Sequence, residues 1–120
     1  MRKNKISVVE EVLARLSEER VSRQEHLMSF SLSSQREIIK KHTVSIGTLN
    51  ATLVHPRDVF YSAIVDNAAE IVIAHNHPEG SLEPSNADRA MTRRFREAGQ
   101  LLGIPLYLHV LVTKSSYSVI

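Results

Sequence analysis

A chain of 120 residues has room for one domain with a real core and is too short for two ordinary ones. Its 42% hydrophobic and 23% charged residues exclude a disordered or fibrous polymer, and 15 basic against 13 acidic side chains leave a net charge of +2, too weak a field to announce nucleic-acid binding. With no cysteine there is neither a disulfide nor a thiolate metal site, so a tightly held metal must use imidazole and carboxylate ligands. No run approaches the roughly 20 apolar residues of a membrane span, and the basic start Met1–Lys5 leads into no long apolar stretch, so a cytoplasmic protein is expected.

In chain order, Val9, Val12, Leu13 and Leu16 repeat at three- and four-residue steps, which predicts one amphipathic helix over Ile6–Glu19, packed as a lid or brace. Met28, Phe30 and Leu32 alternate with Ser29 and Ser31, the pattern of a strand with one buried face over His26–Leu32. After a turn at Ser33–Gln35, Arg36–Ile39 and Thr43–Leu49 are expected as the next strands of an antiparallel meander. His55-Pro56-Arg57-Asp58 opens a second helix with Pro at its first position and Asp58 near the positive end of the dipole; Val59, Phe60, Ala63 and Ile64 form its expected inner face. Ile71–Ala74 is a continuous apolar run suited to a central strand buried on both faces. A long helix follows at Asn86–Leu102, ended by Gly103 and Pro105, and then two strands, Leu106–Thr113 and Tyr117–Ile120. The sum is an α/β (α+β) fold in one domain, with a mixed, largely antiparallel sheet flanked by helices.

Chemistry concentrates after the buried run. His75 and His77 are two residues apart at its end, so their side chains share one face, with Cα atoms about 6.6 Å apart, while Asn76 points to the other. Asp88, Met91, Phe95, Ala98 and Leu102 share one helical face, which puts a carboxylate at the start of a buried stripe. Two neutral imidazoles and that carboxylate would make three ligands of a tetrahedral site open at the fourth position. Ser85-Asn86-Ala87-Asp88 equally suits a helix-capping box, and an isolated His-x-His often only lines a strand end.

The joint pattern is H-x-H-x7-S-x2-D, written here with His75, His77, Ser85 and Asp88. It resembles the signature of the JAMM (MPN-plus) metalloproteases. The segments Gly47-Thr48-Leu49-Asn50, Val54-His55-Pro56-Arg57, Ala74-His75-Asn76-His77-Pro78, Glu83-Pro84-Ser85 and Glu97-Ala98-Gly99 are similar to the RadC branch of that superfamily, a likeness extending from about Glu25 onward. The resemblance implies a JAB/MPN-like (cytidine-deaminase-like) fold filling residues 1–120, with an N-terminal helix over 1–22 and a catalytic core over 23–120. It makes His75, His77 and Asp88 the ligands of Zn²⁺, Ser85 the group that assists the reacting carbonyl, and Glu25 the proton carrier. Glu37, Asp58 and Glu79 are weaker candidates for that last role. Zinc would bring the pKa of its bound water toward about 7, and the bond cut would be an amide or isopeptide in a protein or peptide substrate.

The chain departs from the family pattern at Glu79, where Ser is usual, and at Leu108, where Asp is usual before the late histidine, His109. His109 itself reads more readily as a strand histidine than as a participant. Arg89, Arg93 and Arg96 share a helix face that could meet phosphate weakly, usually a merely solvated arrangement, and exposed sheet edges could pair two copies. The resemblance carries two alternatives to a hydrolase: a DNA-repair or DNA-metabolism accessory protein with a metal-bound domain, and an inactive MPN-type scaffold. Longer RadC proteins add a helix-hairpin-helix DNA-binding module, for which these 120 residues have no room.

Overall fold

The computed structural model describes residues 1–47 and 54–120. Its elements run α1 (Lys5–Ala14), α2 (Ser17–Val21), β1 (His26–Leu32), β2 (Ile38–Ile46), α3 (Pro56–Val65), β3 (Glu70–Asn76), α4 (Asn86–Leu102), β4 (Leu106–Val112) and β5 (Tyr117–Val119). The five strands form one sheet in the order β2-β1-β3-β4-β5, antiparallel throughout except for the β3–β4 pair, whose parallel connection is made by α4. No helix of the described residues is long and apolar enough to cross a membrane.

β3 is the element on which the others are laid, and all seven of its residues are buried. Alternate side chains leave opposite faces of a strand. Val72 and Ala74 accordingly join Val8, Val9, Val12 and Leu16 of the N-terminal segment in one core, while Ile71 and Ile73 join Val59, Phe60, Ala63, Met91 and Phe95 of α3 and α4 in the other. Each fully buried side chain of this size contributes on the order of 1.5–3 kcal/mol, so two cores on one sheet hold the three layers together.

The N-terminal segment is two helices where periodicity predicted one. Arg15 leaves helical geometry (φ −99°, ψ 6°), and the amides of Arg15 and Leu16 bond three residues back, to Val12 and Leu13, tightening the last turn. The break keeps Leu16 in the core with Val8 and Val12, and it lets Arg20 of α2 donate to the carbonyls of Thr113 and Ser116 in the β4–β5 turn. The two strands expected at Arg36–Ile39 and Thr43–Leu49 are one strand, β2, within the described residues; residues 48 and 49 lie outside them. Two irregularities in its pairing with β1, one beside Leu27/Met28 and one beside Ser31/Leu32, leave Val44 and Ile39 without counterparts and break the alternation that would have revealed a single strand. Arg36 belongs to the preceding turn, at φ 62°. Ile64 is also not an inner residue of α3: it is 56% exposed and borders a groove with Pro56, Phe60, Tyr61 and Leu102.

Gly99 of α4 packs directly against the turn into β4 and the ring of Phe60. A Cβ there would stand 2.6 Å from the Ile104 carbonyl oxygen and 3.3 Å from Phe60 Cζ. Gly99→Ala therefore destabilises by about 1–3 kcal/mol, although alanine is the better helix former. Urea unfolding of the variant measures this, and an unchanged or raised midpoint would contradict it.

Asp66, at the end of α3, accepts hydrogen bonds from His42 Nε2 at 2.6 Å and Ser31 Oγ at 2.7 Å, joining that helix to β1 and β2. The His42 bond, then the Ser31 bond, hold its carboxyl below the usual carboxylate range, with burial opposing them and Lys40 adding a small favourable charge. A depressed folded-state pKa contributes stability above the unfolded value of roughly 3.9 and loses it as pH falls through the folded one. The melting-temperature gap between wild type and Asp66→Asn should therefore be full at neutral pH and narrow below the ordinary carboxylate range. A gap constant with pH would reduce Asp66 to a packing residue.

Candidate metal centre

The alternation of β3 carries directly into chemistry. Ile71 and Ile73 face α3 and α4, so the next side chain of the same parity, His75, faces the start of α4, and His77 follows just past the strand end. α4 brings the third group. Ser85 caps the helix by accepting the Asp88 amide on Oγ at 3.0 Å, and Asp88 Oδ2 accepts the Ser85 amide at 2.8 Å. The capping box expected as an alternative to ligation is present together with the cluster, and it aims the carboxylate at the histidines.

His75 Nε2 lies 3.0 Å from Asp88 Oδ1, His77 Nε2 lies 3.1 Å from Asp88 Oδ2, and the two imidazole Nε2 atoms are 3.2 Å apart. All three residues are buried and can hold a metal ion, with ligand atoms within 4.8 Å of one another. Burial pushes the Asp88 carboxyl up, but the bond and charge of His75 and the bonds from Ser85 outweigh it and hold it well below the carboxylate range. The donor set fits a divalent cation on hydrogen-bond grounds as well. His77 Nδ1 lies 2.9 Å from the Ser81 carbonyl oxygen, which only accepts, so this nitrogen carries a proton, and in the neutral ring that a metal requires Nε2 is bare toward the cluster. A bare nitrogen 3.1 Å from a carboxylate oxygen is repulsive unless a positive charge sits between them.

His109 belongs to this centre, contrary to its expected place as a plain strand histidine. It is fully buried, its Nε2 lies 2.8 Å from His75 Nδ1, and its Nδ1 lies 2.5 Å from Thr92 Oγ1. Burial, followed by the neighbouring His75, pushes the ring well below the ordinary histidine range, so it is neutral. An irregularity in β4 explains why sequence reasoning missed it. Ile71 pairs with Leu106 but Val72 pairs with Leu108, so Tyr107 is an extra residue that reverses the alternation. Leu106 faces α4, Leu108 and Val110 face α1, and His109 returns to the His75 side. Leu108, one of the two family departures, is thereby turned away from the centre. Glu79, the other, is 60% exposed with Oε1 3.4 Å from His77 Nδ1.

Glu25 precedes β1, half-buried, beside an open cavity of about 330 Å³ lined by Arg23, Gln24, Glu25 and Gly47. Leu27 pairs with His75, so by the same antiparallel count Glu25 stands opposite His77. Its backbone is fixed by Asn76, whose side chain accepts from the His26 amide at 2.6 Å and donates to the Gln24 carbonyl at 2.9 Å. One amide group thus serves the peptide units on both sides of Glu25. Asn76 was expected only to point away from the histidines, and no sequence signal foretold its bonds. Among the weaker carboxylates, Asp58 is occupied with the His55 amide at the start of α3, and Glu37 stands in the β1–β2 turn at the other end of the sheet. Ser85 is exposed at the rim, and its bond to Asp88 uses an oxygen lone pair and leaves the hydroxyl proton to be donated. Arg89, Arg93 and Arg96 are exposed along α4, whereas Arg94 donates to the Val54 carbonyl.

The model of the RadC-like JAB domain matches residues 4–120. The chain is 47% identical over 94 residues to a UPF0758 protein of Rubrobacter xylanophilus, 46% over 94 residues to one of Chlorobium luteolum and 48% over 91 residues to one of Methanospirillum hungatei. These alignments cover 78%, 78% and 76% of the chain and 41%, 42% and 40% of the relatives, so the chain spans less than half the length of the curated relatives it matches. With the family's model covering nearly all of its residues, and its histidines and aspartate gathered at one buried point, the chain belongs to the RadC-like JAB domain family.

Proposed function

We propose that this chain is a zinc-dependent hydrolase that cleaves a peptide or isopeptide bond. The observation that carries this is the buried convergence of His75, His77 and Asp88, with the His77 proton committed to a backbone carbonyl and its bare nitrogen turned to the carboxylate. With no thiolate available, two imidazoles and one carboxylate suit zinc, and His75, His77 and Asp88 would hold it. A zinc ion held there would supply a Lewis acid and an acidified water at neutral pH.

The remaining work belongs to the chain's own side chains. Glu25, anchored through its two flanking peptides by Asn76, takes the proton of the attacking water and returns it to the leaving amine. Ser85 donates its hydroxyl proton toward the carbonyl oxygen as negative charge develops on it. The cavity beside Glu25 gives an extended peptide room to approach that edge. His77→Ala should abolish stoichiometric zinc. Glu25→Gln should keep the zinc and the melting temperature while turnover of a cleaved peptide falls by about 10²-fold or more. Metal analysis and turnover of the two variants side by side test the assignment; full activity in Glu25→Gln, or zinc retained in His77→Ala, would sink it.

A second reading, contact with nucleic acid, is favoured by one observation, the three arginines Arg89, Arg93 and Arg96 standing exposed on one face of α4. Three phosphate contacts give weak binding with a log–log salt slope of roughly −3. Titration of labelled duplex DNA at several salt concentrations tests it, and tight binding that survives high salt would require a different surface.

A further inference from the structure

His77 has its proton fixed by a backbone carbonyl, but His75 does not: its Nδ1 faces another imidazole, His109, which can either give or take a proton. We propose that Thr92 and His109 are positioning residues that decide which nitrogen of His75 is bare, and that they thereby set the centre's affinity for its metal. The inference rests on the assignment of His75, His77 and Asp88 as ligands.

Donors and acceptors alternate along one line from Asp88 to His75. Thr92 Oγ1 has a single proton and two neighbours, the Asp88 carbonyl oxygen at 3.0 Å and His109 Nδ1 at 2.5 Å. If the hydroxyl donates to the carbonyl, it must accept from His109 Nδ1–H, so His109 Nε2 is bare. His109 Nε2 then accepts from His75 Nδ1–H, and His75 Nε2 is bare, 3.0 Å from Asp88 Oδ1 and facing the metal position. Every donor in that order has an acceptor. In the opposite order Thr92 donates to His109, His109 donates to His75, and the His75 proton lies on Nε2, where a cation would have to displace it. Both orders contain the same number of protons, so the choice between them is one of direction and not of ionisation. Only the first suits a metal, and it ends on the backbone of Asp88, the residue that supplies the third ligand. His75 and Asp88 are thus linked through Thr92 and His109 as well as by their direct contact.

The hydroxyl is the element to remove. In Thr92→Val the shape stays and the terminal acceptor goes, so His109 is driven to carry its proton on Nε2, the order that opposes the metal. Zinc affinity, measured by competition with a chromophoric chelator, should fall by about 10–100-fold, and Thr92→Ser should recover most of it. In zinc-loaded wild type, long-range ¹H–¹⁵N spectra of the imidazoles should find both His75 and His109 protonated on Nδ1. Melting temperatures accompany the affinities, and if Thr92→Val does not fold, the wild-type spectra decide. Wild-type affinity in a folded Thr92→Val, an equal loss in Thr92→Ser, or a zinc-loaded His109 protonated on Nε2 would each overturn the relay while leaving the ligands standing. Wild type that holds no zinc would overturn the ligand assignment and the relay together.

Discussion

The Nε2 atoms of His75 and His77 stand 3.2 Å apart, each within 3.1 Å of a different oxygen of the Asp88 carboxylate, where water is largely excluded, and that crowding is relieved only by a proton or a cation placed among them. Much of the molecule serves this convergence. The capping box at Ser85 orients the carboxylate, the Ser81 carbonyl orients one imidazole, and His109 with Thr92 faces the other. Because α4 both begins at the centre and connects the parallel strands β3 and β4, the start of the crossover helix and the chemistry are one construction. A change that loosens the first turn of α4 moves Asp88 and a fold connection at once.

β3 makes this possible because it is buried on both sides. A strand with one wet face could offer two histidines, but half of its neighbours would be solvent. Here the face carrying His75 is roofed by Phe95, Met91 and Phe60, and the opposite face by the N-terminal helix. Asn76, of the opposite parity, uses its position to secure the segment before β1. Three consecutive residues, His75 to His77, therefore serve two edges of the same site.

The elements that could be read from the amino acids are those whose pattern is uninterrupted. Ile71–Ala74 is a plain apolar run and became the central strand, and Asp88, Met91, Phe95 and Ala98 keep helical spacing through α4 to Gly103, which takes the left-handed conformation (φ 72°) that glycine adopts most easily. Where an extra residue interrupts alternation, the reading failed. Ile39 and Val44 divided β2 into two apparent strands, and Tyr107 hid the direction of His109. The side-chain bonds of Asn76 to Gln24 and His26 join residues 50 and more apart in the chain and depend on tertiary register, which local pattern does not contain. The break at Arg15 has the same origin, since what favours it is the reach of Arg20 to a turn nearly a hundred residues away.

The extra residue at Tyr107 has a meaning for kinship as well as for geometry. Which core a strand residue enters depends on whether its count from a fixed point is odd or even, and one inserted residue changes every later answer. Two relatives could share all the same motif words, with equal composition and equal hydropathy, and differ by a single residue between Pro105 and the late histidine. In one, that histidine would touch His75 on β3; in the other, it would be buried among Val8, Val12 and Phe30, on the far side of the sheet. A gap of one position in an alignment here separates two different chemistries, so the spacing must be compared as carefully as the letters.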